Sequence, residues 1–186
     1  SAEGGVSIIH QELNMLPERT VAQNIFLGRE PVKADGIVDY KKMAVESKKL
    51  LDNLGLDLNP NTLVKNLSIA QQQMVEVTKA LSFNLKLLIM DEPTSSLTKK
   101  EIDKLFEIVD RLKAQGIGII YISHRMDELL RVGDQITIMR DGEYIDCVDT
   151  KNADMDEIVS KMVGRKIEKL YNRHWNEPGD VVLETK

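Results

Sequence analysis

The chain has 186 residues, of which 42% are hydrophobic and 30% charged, with a formal net charge of −5. That length and balance suit one sizeable core, and the excess of acid removes the basic footprint expected of a nucleic-acid or anionic-membrane binder. A single cysteine, Cys147, excludes an internal disulfide, and neither its surroundings nor the three scattered histidines have the spacing of a zinc site. No apolar run approaches the about 20 residues that cross a bilayer, and the first residues lack the basic-then-apolar form of a signal peptide. Any membrane role must come through a partner, and the cytosol is the simplest compartment.

In chain order, residues 6–10 (VSIIH) form a short β-branched run predicted as a strand that leads into a loop at Gln11. Residues 20–27 and 41–54 carry helical spacing, the second with Met43, Leu50, Leu51 and Leu54 on one side. A mostly helical subdomain is therefore expected over about 17–83. Residues 67–81 (LSIAQQQMVEVTKAL) place Ser-x-x-Gln ahead of an apolar helix, the form of a capping box. Four apolar residues at 87–90 then run into Asp91 and Glu92, which predicts a buried parallel strand carrying two carboxylates to the sheet edge where open α/β folds bind ligands.

Residues 100–115 repeat apolar side chains at Ile102, Leu105, Phe106, Val109 and Leu112, and Gly116 supplies the stop. That helix returns the chain for a strand over 117–122, a β-α-β crossover, and His124 follows. Residues 135–140 and 143–147 flank Asp141-Gly142, a hairpin turn signal, and a last helix is expected over 155–162. Residues 164–180 read as a charged linker closed by Pro178-Gly179, after which VVLE opens a new apolar run.

Each chemical signal has a plain structural alternative. An Asp at a strand end can hold Mg²⁺, and the carboxylate beside it can orient or deprotonate an attacking water, but a lone DE pair is as readily a solvated loop pair. Ser68 as a helix cap needs no ligand, although a helix N-terminus also offers free N–H donors and a positive dipole end to phosphate. His124 by itself reads as a satisfied histidine at a strand end. Gln11 alone carries no signal.

Their order changes that reading. Gln11 after a strand, then LSIAQQQ at 67–73, LLIMDEPTSSLT at 87–98 and YISH at 121–124 together resemble the ATP-binding cassette (ABC) ATPases. Within them the chain is most similar to the tandem ATPases of bacterial monosaccharide importers of the galactose and ribose type, over nearly all of 5–184. The resemblance implies a partial RecA-like (P-loop NTPase) α/β core with an inserted helical subdomain, and ATP and Mg²⁺ as cofactors. It implies Asp91 and Gln11 on Mg²⁺, Glu92 as catalytic base, and His124 and Gln11 as sensors of the γ-phosphate. Ser68, Ile69, Ala70 and Gln71 occupy the signature that acts on the nucleotide of the opposite domain, with Ile69 and Ala70 where the common form has two glycines. Ser95, Ser96 and Leu97 match the D-loop along the dimer interface, and Thr98 stands where many members carry Asp. Residues 13–30 resemble the surface that receives a coupling helix, although their local sequence suits an ordinary subdomain helix equally well. His10, His174 and Trp175 match no catalytic position.

One family element is missing, since no Gly in the sequence is followed by Lys and then Ser or Thr, the core of the loop that cradles the β- and γ-phosphates. The family places that loop upstream of the residue matching Gln11. The chain is therefore expected to be a first ABC ATPase domain over 1–163 without its phosphate loop, a linker over 164–180 and the start of a second such domain at 181–186. Expected partners are that second ATPase domain, transmembrane permease subunits and, indirectly, a periplasmic or lipoprotein sugar-binding protein, with no nucleic acid. The expected location is the cytoplasmic face of the bacterial membrane.

Alone, the chain is expected to bind Mg-ATP weakly, to be inactive, and to self-associate through strand edges left open. Two rivals stand beside this reading. A non-transport ABC-type ATPase acting on nucleic acid or the ribosome calls for basic patches, zinc cysteines or long heptad insertions, which the sequence lacks. An inactive interaction fragment is separable by nucleotide titration.

Overall fold

The apolar runs around 6, 87 and 118 become three parallel strands, β1 (Val6–Ile9), β2 (Leu87–Asp91) and β3 (Gly118–Ile122), ordered β1-β2-β3. The computed structural model describes residues 4–10, 14–83 and 85–164, so Gln11 and the 165–186 segment, with the expected linker and second-domain start, lie outside the described residues. Register sets Ile8 opposite Ile89 and Ile89 opposite Ile120, and Asp91 opposite Ile122. Because side chains alternate along a strand, Ile9, Leu88 and Met90 point to one face and are buried there, joined by Ile119 and Tyr121. The other face leaves Val6, Ile8, Ile120 and Ile122 exposed.

The buried face is covered by helices. Between β1 and β2 the chain forms α1 (Val21–Ile25), α2 (Tyr40–Asn53) and α3 (Ile69–Leu81), and between β2 and β3 it forms α4 (Lys99–Ala114). The apolar stripe foreseen on α4 is buried, with Leu105 and Leu112 fully enclosed, and Ile108, which that stripe did not include, is enclosed beside them. At roughly 1.5–3 kcal/mol for each large aliphatic side chain buried, that stripe is a principal anchor of the sheet. Residues from α1, α2 and α3, among them Ile25, Leu51, Leu54 and Val75, belong to the same continuous core.

α1 is shorter than its sequence pattern. Thr20 caps it with a capping box to Gln23, and Phe26 already leaves helical geometry, ahead of Gly28 at φ 74°. Buried Asn24 accepts the Leu16 N–H at 2.8 Å and donates to the carbonyls of Leu16 and Thr20 at 3.0 Å each, which pins the incoming loop to α1. Arg29 lies 3.5 Å over the Phe83 ring and donates to the Ser82 carbonyl, so the ends of α1 and α3 are clamped together.

After β3 comes α5 (Met126–Val132), and this first compact unit ends at Gly133. The second unit, described from Asp134, is an antiparallel hairpin of β4 (Gln135–Arg140) and β5 (Glu143–Asp149) followed by α6 (Met155–Val163). Asp141 at φ 54° and Gly142 at φ 81° give the twin left-handed residues that a tight hairpin needs. β5 runs two residues beyond its predicted end: pairing with all of β4 takes it to Val148, and the extra residue at the register shift between Ile138 and Met139 takes it one further, to Asp149. Within this unit Ile158 is buried, and Lys161 donates to Asp146 on β5 and to Glu157 on α6.

Candidate active site

β2 and β3 end side by side, and the expected site residues stand at or just beyond their ends. The Glu92 N–H donates to the Ile122 carbonyl at 2.9 Å, so the ladder continues one residue past β2. Glu92 itself has φ 44°, a left-handed conformation that costs a non-glycine residue about 1–2 kcal/mol. Its side chain meets His124, with Glu92 Oε1 and His124 Nδ1 2.9 Å apart. Asp91 is partly buried one position earlier, as the last residue of β2. The strand ends thus unite three of the expected site residues, Asp91, Glu92 and His124.

The chain beyond Glu92 is tightly held. Pro93 and Thr94 are buried, the Pro93 carbonyl accepts a bond from Gln73 Nε2 on α3, and the Leu97 N–H donates to the Thr94 carbonyl at 3.1 Å. Ser95 and Ser96 are exposed, as a contact loop requires, whereas Leu97 packs against the core. Thr98 closes the loop as the N-cap of α4, with Glu101 completing the capping box.

Ser68 and Gln71 form the capping box that their spacing predicts. Ser68 Oγ accepts the Gln71 N–H at 3.2 Å, and Gln71 Oε1 accepts the Ser68 N–H at 3.0 Å. The two residues standing for glycines differ in direction: Ile69 is exposed and Ala70 is buried. Only the first of them presents a side chain to whatever approaches the start of α3. This signature stretch is linked to the strand-end group through Gln73 and Pro93 in its own chain. The Asn14 N–H donates to Glu76 Oε1 on α3 at 3.1 Å, which fastens residue 14 to that helix.

Comparison with known proteins decides the family. The family described as ABC transporter matches residues 1–95, just over half of the chain. The chain belongs to the ABC transporter family. It is 47% identical over 184 residues to the galactose/methyl galactoside import ATP-binding protein MglA of Mannheimia succiniciproducens, covering 99% of this ABC chain and 36% of that protein. It is 50% identical over 183 residues to a ribose/galactose/methyl galactoside import ATP-binding protein of Agrobacterium fabrum, described there as putative, again spanning 36% of it. The ABC chain thus spans about a third of the length of the curated relatives it matches. Its structure is similar to the ADP conformation of an ATP-binding cassette of an ABC transporter, with TM-score 0.71 and 26% identity over 88% of this chain and 70% of that one. A post-hydrolysis dimeric cassette bound to ADP and Pi has the same fold, with TM-score 0.64 and 22% identity over 78% and 62% of the two chains.

Three further residues that the sequence pattern did not single out bond to the segments beside the expected site residues. Gln73 and Glu76 fall inside a run read only as a helix face, and Glu128 follows His124 at the start of α5, where an acid is ordinarily explained by the helix dipole. The one available signal was proximity in sequence: Glu128 lies in the first turn of α5, which starts two residues beyond His124.

Proposed function

We propose that the chain is part of the ATP-binding subunit of a monosaccharide importer of the galactose or ribose type, in which ATP hydrolysis energises uptake. The Glu92–His124 pair, 2.9 Å apart at the C-terminal edge of a parallel sheet, carries this reading. Glu92 is the general base for the attacking water, and His124 holds the base and contacts the γ-phosphate. Asp91 fits Mg²⁺, which favours one or two carboxylates together with substrate phosphates and waters over an all-protein cage. Bound there, the ion would neutralise charge developing on the transferred phosphoryl group. Gln11 completes the Mg²⁺ and γ-phosphate contacts, Ser68 to Gln71 act on the nucleotide of a partner ATPase domain, and Ser95 to Leu97 line that interface.

Among the described residues no helix is long and apolar enough to cross a membrane, so attachment to the cytoplasmic face would come through permease subunits. Residues 1–163 are assigned to the first ATPase domain, with its helical subdomain over about 17–83, 164–180 to a linker and 181–186 to a second ATPase domain. With no Gly-Lys-Ser/Thr loop in its sequence, this chain alone is expected to be inactive.

In the full-length protein, Glu92→Gln should lower turnover at this site about a hundredfold or more while ATP still binds. Asp91→Ala should instead weaken Mg-ATP binding. Steady-state hydrolysis and nucleotide titration check both, and equal losses of affinity with unchanged turnover would overturn these roles.

A further inference from the structure

We propose that Glu128 is a positioning residue that holds the loops bearing Glu92 and His124 in the geometry hydrolysis needs, an inference that rests on reading that pair as the hydrolytic couple. Glu128 is 1% exposed, although it is charged. Its Oε2 accepts three hydroxyl bonds: Thr94 Oγ1 at 2.8 Å, Tyr121 Oη at 2.9 Å and Ser123 Oγ at 3.2 Å. Arg125 Nη1 lies 3.0 Å from Oε1 and supplies the opposing charge. The three donors come from different segments: the loop two residues after Glu92, strand β3, and the position immediately before His124.

A buried carboxylate is costly unless paired, and apolar packing would commonly serve stability as well or better. Its particular property is that it accepts and never donates when ionised. Three hydroxyls facing it must all donate, so their directions are set. Ser123 Oγ donates to Glu128 and accepts the Arg125 N–H at 3.0 Å, which fixes the turn that contains His124. Tyr121 is kept protonated, and hence a donor, by burial and by its bond to Glu128.

The pair depends on such support. The His124 side chain is 71% exposed, with Glu92 as its hydrogen-bond partner, so its place is set by the backbone of 122–125. Glu92 is held at a positive φ, which persists only where surroundings over-determine it. The bonds Glu92–Ile122, Gln73–Pro93 and Thr94–Glu128 provide that constraint from three sides.

The test uses the full-length protein and two variants. Glu128→Gln keeps the shape and removes the charge, and Thr94→Val keeps the volume and removes one donor. Glu128→Gln is expected to lower kcat for Mg-ATP by between about tenfold and a hundredfold, as sub-ångström to ångström misplacement does, with KM within about twofold. Thr94→Val is expected to act in the same direction with a smaller loss. In parallel, the ¹⁵N shift of His124 Nδ1 should move toward the value seen in Glu92→Ala. Unchanged kcat and an unchanged His124 signal in both variants would overturn the proposal, as would a change confined to KM. If the wild-type protein fails to hydrolyse ATP, the proposed function falls, whereas the His124 signal still decides whether Glu128 positions the pair.

Discussion

Glu76 accepts the Asn14 N–H through one oxygen, while its other oxygen, Oε2, is buried with no hydrogen-bond partner among the described residues. Burial pushes this carboxyl above the usual range, and the Asn14 bond, Lys79 and His10 offset part of the rise. A carboxyl whose folded-state pKa is raised binds its proton more tightly in the native protein, so its contribution favours folding at low pH. That contribution is lost as pH rises from the ordinary Glu value of about 4.3 through the raised one. Glu76→Gln keeps an acceptor for Asn14 without a buried charge. It should therefore raise Tm by up to about 2 °C at pH 8 and by less toward pH 4, as followed by thermal unfolding. A lower Tm at pH 8 would show that the anion itself stabilises the loop. The bonding role of Glu76, like that of Gln73 and Glu128, was illegible because it depends on what tertiary packing places around the side chain. The placement of Asp91, Glu92 and His124 at neighbouring strand ends was legible because strand ends and the residues that follow them keep their meaning in one dimension.

At the level of elements, periodicity predicted where helices face inward better than where they stop. The helix expected over 100–115 is α4, Lys99–Ala114, and its foreseen stripe is the buried one. The capping box at Ser68 was readable because it is local: cap and partner are three residues apart. The end of α1 was not, since Phe26 and Leu27 are apolar in the helical pattern but leave the helix ahead of the positive-φ turn at Gly28. Leu105→Ala in α4 should cost about 2–5 kcal/mol, the range for deleting a fully enclosed leucine. Ser68→Ala should cost only about 1 kcal/mol through loss of the cap. Urea denaturation of both variants would check the ranking, and a larger loss at Ser68 would mean that the cap supports more than its own helix.

At the scale of the molecule, the parallel sheet of the first unit has one clad face and, among the described residues, one whose apolar side chains are exposed. Ile8 and Ile120, 50% and 47% exposed, lie in register across Ile89 on the open side. In the isolated chain this apolar face should drive association at micromolar concentration, and Ile120→Lys should reduce it. Light scattering across a dilution series checks this, and an unmodified chain that stays monomeric at high concentration would refute it. The connectivity of the same sheet also bears on how it comes apart. Leu87 meets Gly118 through the single helix α4, whereas Val6 meets Leu87 only after α1, α2 and α3 have been laid down between them. Closing the longer loop carries the larger entropic penalty, so β1 should join the sheet last and detach first. Native-state hydrogen exchange should then release β1 amides ahead of those in β2 and β3. The strand expected to open first is the one that leads directly to Gln11, so the residue proposed to sense nucleotide would follow the most readily detached member of the sheet.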